Sequence, residues 1–244
     1  MATTSTADTS LLGIGLYSVS EAARLLRVNT TTARRWVDGY TYDVRGVERL
    51  SAPLIQRDIP RQDSTDILTF LDLMELYFVD IFRTRGVAMR VIRDAARVGA
   101  ALFETQHPFA VATFQTDGHR IFATPNERDD EVSAIIDGAR MIELAPAQWV
   151  FQEFARPFCD DIEYGAKEAL KYWPLGKDKR VVLDPQRAFG KPIDVETGVS
   201  TFVLYQASKS GEALRDVADW YDVPQAAIHQ AIEYEEYLSP PNTE

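Results

Sequence analysis

Four residues near the front of the chain have the types and spacing to meet a nucleic acid. In NTTTARRWVD, Thr30 and Thr31 stand one turn ahead of Arg34 and Arg35. On a helix, the two hydroxyls would lie at the N-terminus, where free amides also meet phosphate. The arginines one turn later would reach guanine edges or the backbone. Two more arginines, Arg45 and Arg49, fall in TYDVRGVERL near the tip of a short hairpin around Gly46, placed for phosphate contact. A helical hairpin facing only solvent would also carry arginines, so the surrounding elements decide what the pattern means.

Those elements form a regular order. Ser18 and Glu21 have capping-box spacing, so a first helix starts at Val19, with Val19, Ala22, Ala23 and Leu26 on one small apolar face. Val28 and Asn29 make a turn, and Asn29 caps a second helix over 30–38 that turns Ala33, Trp36 and Val37 inward. A hairpin follows, 42–44 against 47–50. Next come an apolar helix over 69–84 that Gly86 ends, and another reaching about residue 105.

This order resembles the MerR-type DNA-binding domain across residues 16–108. The likeness rests on YSVSEAARLLRVNTTTARRWV, the hairpin in the place of a wing, and L-T-F-L-D-L…R-x-R-G-V…I-R-D-A. It implies a winged helix-turn-helix with Thr31, Arg34 and Arg35 facing the groove and Arg45 and Arg49 on the wing. The long dimerising coiled coil and the cysteine metal loop of that family are missing. No metal and no cofactor are therefore expected.

Residues 109–180 read as a central β-hairpin, helix and strand region serving dimerisation or partner binding. In FAVATFQTDGHRIFAT, alternating apolar residues flank Asp117-Gly118, the pattern of a hairpin. PNERDDEV is a polar loop, and 139–144 offers a third strand. From Pro146 a helix is expected, with Trp149, Phe151, Phe154, Phe158 and Ile162 as a core or dimer seam. Cys159, the one cysteine, reads as core filler in that helix. KEALKYWPLGKDKRVVLDP adds two short strands around a turn.

The last third is punctuated in a specific way: D-P-x-x-x-x-G-x-P, T-G-V-x-T, then two apolar helices with Pro224 opening the last. Asp184, Pro185, Gly190, Pro192, Thr197, Gly198, Val217, Tyr221, Val223 and Ile228 make it resemble a small trihelical family first catalogued as a domain of unknown function. That family is associated with VapB-type antitoxins. The final helix shows Gln225, His229, Gln230, Glu233, Glu235 and Glu236. Phosphate would be repelled there, so Gln225, His229, Glu233 and Glu236 are expected to contact a protein partner, against the plainer reading of a solvated end helix.

Charge supports this division. The chain of 244 residues carries a net charge of −11, but residues 1–110 hold 13 Arg against 13 acids and balance. All of the excess falls in 111–244, while 17–57 stands at +3. A basic face in front and an acidic surface behind suit DNA and a basic protein respectively. The three histidines, His107, His119 and His229, lie in separate elements, and no phosphate-binding glycine loop or nucleophile elbow is present. No catalytic residues are expected, and no enzyme.

The expected fold is α+β, mainly α: a tail at 1–15, a winged helix-turn-helix at 16–108, the central region at 109–180, a trihelical unit at 181–238 and a tail at 239–244. Together the resemblances imply a cytoplasmic, homodimeric antitoxin of a toxin–antitoxin system. It would bind double-stranded operator DNA to repress its own operon, neutralise a VapC-type PIN-domain ribonuclease toxin, and have no role at a membrane. The alternatives are a stand-alone MerR-like regulator whose middle region binds a small molecule among Trp149, Phe154, Tyr172 and Trp173, and a scaffold that never meets DNA.

Overall fold

Tyr17–Ser18 (β1) pairs antiparallel with Ile67–Leu68 (β4), and this short ladder ties the first helices to the apolar helix that follows. The coordinates are a computed structural model, which describes residues 11–61, 66–117, 152 and 155–239. Ser18 caps Val19–Leu25 (α1), its hydroxyl accepting from the Glu21 amide at 3.1 Å. The reciprocal half expected of a capping box is replaced, because the Glu21 carboxylate is held by Lys191. A complete box forms instead at Thr69 and Asp72, where it opens Phe70–Thr84 (α3). Val19, Ala22, Ala23 and Leu25 are the buried residues of α1, so Leu25 takes the inward place expected of Leu26, which is half-buried.

Asn29 caps Thr30–Asp38 (α2), its Oδ1 accepting from the Thr31 and Thr32 amides, and Ala33, Trp36 and Val37 point inward as their spacing predicts. Tyr40–Val44 (β2) and Val47–Ser51 (β3) form the hairpin, a residue or two longer than expected. Its turn holds Arg45 and Gly46 at φ of 57° and 80°, the left-handed pair that a two-residue hairpin requires. Asp43 Oδ1 accepts from the Gly46 amide and fixes that turn. Met89–Leu102 (α4) then packs on α3. Arg93 on α4 reaches back to Ser51 and Pro53, steadying the base of the hairpin.

One expectation fails at residue 112. Ala112–Asp117 (α5) is helical, not the first arm of a hairpin; the second arm lies outside the described residues. Phe109 and Phe114 are fully buried against α3, with Phe114 4.9 Å from Phe78 and Phe109 5.4 Å from Phe82. An aromatic cluster across α3 rewards a helical turn more than alternation rewards a strand, and among the described residues of this stretch only Val111 keeps a bridge, to Glu168. Arg156–Cys159 (α6) ends before Ile162, which belongs to a strand and not to the expected aromatic helix. Trp149, Phe151, Phe154, the PNERDDEV loop and 139–144 lie outside the described residues.

Ile162–Tyr164 (β5), Ala169–Tyr172 (β6), Val181–Leu183 (β7) and Pro192–Asp194 (β8) make an antiparallel sheet in that order. Its residues divide by strand parity. Tyr172, Val181 and Leu183 enter the main core, while Trp173, Val182 and Ile193 form a small separate cluster. The sheet crosses residue 180, since Tyr172 pairs with Leu183.

Thr201–Ser208 (α7), Leu214–Tyr221 (α8) and Gln225–Leu238 (α9) follow. Leu204, Val217, Val223, Ala227, Ile228 and Ala231 fill their own small core. Further along α9, Tyr234 and Leu238 leave that core and join the main one. One helix thus serves two cores and holds the C-terminal unit on the N-terminal one. Among the described residues, no helix is long and apolar enough to cross a membrane.

Candidate nucleic-acid interface

The hydroxyl-and-arginine face of α2 is outward, as its sequence dictates. Thr30, Thr31, Arg34 and Arg35 are exposed on the side opposite Ala33, Trp36 and Val37. The two arginines are held differently. Arg34 stands 3.6 Å from Asp66 with half its side chain in solvent, and the Arg35 guanidinium lies over the Tyr40 ring at 5.2 Å. Both are pre-placed by weak contacts that a phosphate or a guanine edge can replace.

The hairpin beside them has two chemically opposite faces. By register, Tyr40, Tyr42, Val44, Val47 and Arg49 share one face, and Asp43 stands across from Glu48 on the other. Every residue from Tyr40 to Leu50 is exposed. Tyr40 links the first face to Arg35, and its ring lies 5.8 Å from that of Tyr42. Arg45, at the tip, and Arg49 make no ion pair with the described residues. The aromatic and basic face is therefore the one continuous with α2, while the Asp43–Glu48 face would be repelled by phosphate.

The other arginines of this segment have internal work. Arg24 bonds Glu235 at 3.1 Å and Arg27 lies 4.3 Å over the Tyr237 ring, both toward α9. Arg57 is nearly buried; it pairs with Asp38 at the end of α2 and with Asp66 at 2.6 Å. Asp66 thereby joins Arg34 and Arg57 and fixes α2 to the connector ahead of α3. The even spread of arginines along the sequence concealed this sorting, because partners such as Glu235 lie two hundred residues away. Tyr40 and Tyr42 had a legible signal, the period-two alternation with Arg49.

Behind the connector sits a buried titratable network that the sequence reading passed over. His107, expected to be isolated, donates through Nε2 to Asp58 Oδ1 at 2.7 Å and faces Asp72 through Nδ1 at 3.8 Å. Thr69 completes the ring, its hydroxyl donating to Asp58 and its amide to Asp72. Glu75, one turn along α3, accepts from the Phe109 and Ala110 amides. Burial pushes the Asp72 carboxyl up to about 6 and Glu75 up to about 8. The hydrogen bond with Asp58 and the neighbouring carboxylates outweigh burial and raise His107, and the bonds from His107 and Thr69 outweigh burial and lower Asp58.

Asp58, Asp72 and His107 are near enough to suggest a cation site. The 2.7 Å separation argues for a hydrogen bond, since ligands about 2.1 Å from one ion at right angles stand about 3 Å apart. Cys159 is buried and its thiol is pushed up to about 12 by desolvation, which leaves it a packing residue.

The acidic face predicted on α9 is also outward: Gln225, His229, Glu233 and Glu236 are exposed, one or two turns apart on one side. Gln230 instead accepts from the Arg180 amide, and Glu235 is buried between Arg24 and Thr201. Of the four residues that the small-molecule alternative gathers around a pocket, Trp149 and Phe154 lie outside the described residues, and Tyr172 and Trp173 enter different clusters. Tyr172 packs 4.8 Å from Tyr77, and Trp173 fills the small cluster on the other side of the sheet.

The junction between the two ends explains part of the C-terminal punctuation. Tyr17 donates to the Gly190 carbonyl at 2.8 Å and Leu16 donates to Phe189. Ala188, Phe189 and Gly190 all have positive φ there, and a Cβ on Gly190 would lie 2.1 Å from Tyr17 Oη. Only glycine fits.

Comparison with known proteins divides the chain in the same way. Residues 15–96 match a family described as "Putative DNA-binding HTH domain", and residues 181–234 match "Protein of unknown function (DUF433)". The chain is 27% identical over 228 residues to the Mycobacterium tuberculosis protein named "Putative antitoxin VapB45", covering 90% of this chain and 93% of that one. It is 26% identical over 238 residues to "Uncharacterized protein Rv2308" of the same organism, covering 93% and 92%. In fold it is similar to the crystal structure of Rv2018 from Mycobacterium tuberculosis, with a TM-score of 0.67 at 24% identity over 91% of this chain and 99% of that one.

Proposed function

We propose that this chain is a DNA-binding antitoxin. Its front end reads operator DNA as a MerR-like winged helix-turn-helix, and its back end neutralises a basic partner, a PIN-domain ribonuclease toxin. Thr30, Thr31, Arg34 and Arg35 enter the major groove, and Arg45 and Arg49 lie along phosphates with Tyr40 and Tyr42 on the same side. Gln225, His229, Glu233 and Glu236 face the toxin. The protein acts in the cytoplasm, represses its own operon and catalyses nothing.

The observation that carries this reading is the opposite charge of two outward helix faces on one chain. The α2 face presents hydroxyls and guanidinium groups, whereas the segment from α7 to α9 sets Lys209 and Arg215 against six exposed carboxylates. Similarity to a protein named as an antitoxin over nearly the full length of both chains supports pairing the two roles. A homodimer follows from affinity: one nine-residue recognition helix binds weakly, and two half-sites multiply its strength.

Two measurements test the proposal. A gel-shift titration against the DNA upstream of the chain's own gene, at two salt concentrations, is expected to show specific binding that weakens as salt rises. Equal affinity for that DNA and a scrambled duplex would overturn the operator role. Purification from the native host with mass spectrometry is expected to bring down a PIN-domain ribonuclease in stoichiometric amount. Recovery of the chain without a protein partner would overturn the antitoxin role and leave the DNA arm standing.

A further inference from the structure

Trp220 on α8 is the most exposed of the described phenylalanine, tyrosine and tryptophan rings, with 64% of its surface in solvent. The other two described tryptophans, Trp36 and Trp173, are buried. Helical spacing explains where Trp220 points. Leu214, Val217 and Ala218 pack into the small C-terminal core, so the opposite side of this eight-residue helix presents Arg215, Asp216, Asp219 and Trp220. Asp216 stands one turn before the indole, and Asp222 follows just past the helix end.

Three tyrosines at the surface already hold a cation. Arg27 lies 4.3 Å over Tyr237, Arg35 lies 5.2 Å over Tyr40 and Lys209 lies 3.9 Å over Tyr205. Among the described residues no arginine or lysine lies over Trp220, and none pairs with Asp216, Asp219 or Asp222. Charge around the ring is one-sided: Glu212, Asp216, Asp219 and Asp222 are all exposed, and Lys209 is occupied by Tyr205. An indole face attracts a cation more strongly than a phenol does. A guanidinium can also lie flat on it while its edge N–H groups reach carboxylates. Nucleic acid and an anionic membrane surface are both repelled here, which leaves a basic protein as the complementary occupant.

We infer that the Trp220 face of α8 anchors the basic partner, with an arginine of that protein flat on the indole and its N–H groups bonded to Asp216 and Asp219. The identity of the partner rests on the antitoxin reading above; the inference moves the centre of contact from α9 to α8. The α9 residues Gln225, His229, Glu233 and Glu236 include no large apolar side chain. Polar contacts of that kind form a rim, whereas a covered tryptophan supplies most of the binding energy.

Two titrations of the full chain test it. In the first, the Trp220 indole N–H resonance, identified by its loss in Trp220→Phe, is followed as triarginine is added. A saturable shift with Kd of about 1 mM is expected, and trilysine, of equal charge, should bind at least about three-fold more weakly. No shift by about 10 mM triarginine, or equal binding of trilysine, would overturn the inference. In the second, the ribonuclease recovered with the chain is titrated calorimetrically. Trp220→Ala removes an exposed side chain and is expected to weaken binding at least about 30-fold, and Asp216→Asn with Asp219→Asn about ten-fold. Glu233→Gln with Glu236→Gln should weaken it about three-fold. Unchanged affinity in Trp220→Ala would sink the anchor and leave the antitoxin role standing. Recovery of no partner would sink that role instead, and the triarginine titration would still judge the Trp220 face.

Discussion

Helices α2 and α9 are built on one plan and end with opposite surfaces. Each is the second member of a helix pair joined by a tight turn, and each buries a small apolar stripe, Ala33, Trp36 and Val37 in one case and Ala227, Ile228 and Ala231 in the other. On α2 the remaining positions carry hydroxyls and arginines; on α9 the exposed ones include Gln225, His229, Glu233 and Glu236 and no lysine or arginine. A helix-turn-helix shape is therefore not a function by itself. The sign of charge on the free face decides whether phosphate is attracted, and here the two ends answer differently.

The two ends also differ in what holds them. The front pair sits on the large core around α3, with Phe78, Phe82 and Phe114 fully buried. The rear pair has a small core and leans on the front through α9. Glu235 receives Arg24 and the Thr201 hydroxyl, and Tyr234 reaches the main core. Perturbing the seam should affect both ends, and perturbing either outward face should affect only one.

The largest effect is expected at the seam. Gly190→Ala places a Cβ against the Tyr17 hydroxyl on a backbone at φ of 79°, and should cost about 3 kcal/mol in urea unfolding. Gly46→Ala, also at positive φ but with nothing near its Cβ, is expected to cost less. Equal losses would mean that the Tyr17 contact contributes nothing to joining the ends.

Next in size is the contrast between the faces. Arg34→Ala with Arg35→Ala should weaken operator binding by about 10- to 100-fold in a gel shift. Glu233→Gln with Glu236→Gln should leave it within about two-fold. If both pairs reduce it alike, the two faces are not separate in function.

A third test addresses the front core alone. Asp72, Glu75 and His107 all have raised folded values, so each favours the protonated folded state. Stability from them is present at low pH and lost as pH rises, over about 4 to 6 for Asp72, about 4.5 to 8 for Glu75 and above 6.5 for His107. Asp58, being lowered, acts oppositely and withdraws its support only as pH falls below the usual carboxylate range. Glu75→Gln keeps an acceptor for the Phe109 and Ala110 amides. It should flatten the loss of stability between pH 5 and 8, gaining at least about 1 kcal/mol over the parent at pH 8. Parallel stability curves for parent and variant would remove Glu75 from that role.

The smallest effect concerns the hairpin. Arg45→Ala and Arg49→Ala should each lower the slope of log K against log salt by about one unit, whereas Glu48→Gln on the opposite face should leave it unchanged. An unchanged slope for both arginines would place the hairpin away from the phosphates.

The sequence by itself determined the local parts. Spacing of Ala33, Trp36 and Val37, the Asn29 cap, the Gly46 turn and the order of the last three helices depend on neighbours within a few residues, and all were legible. It also determined the charge of the outward faces, because residues left over from an amphipathic stripe must face water. Phe109 to Phe114 shows where this stops. Their alternation reads as a strand, but the rings of α3 decide the helix, and they lie some thirty residues earlier. Only the tertiary structure decided which arginines are free and which surface rings hold a cation, and brought Asp58, Asp72 and His107 into one network. Each depends on groups far apart in the chain meeting across a packed core, and no local rule specifies such a meeting.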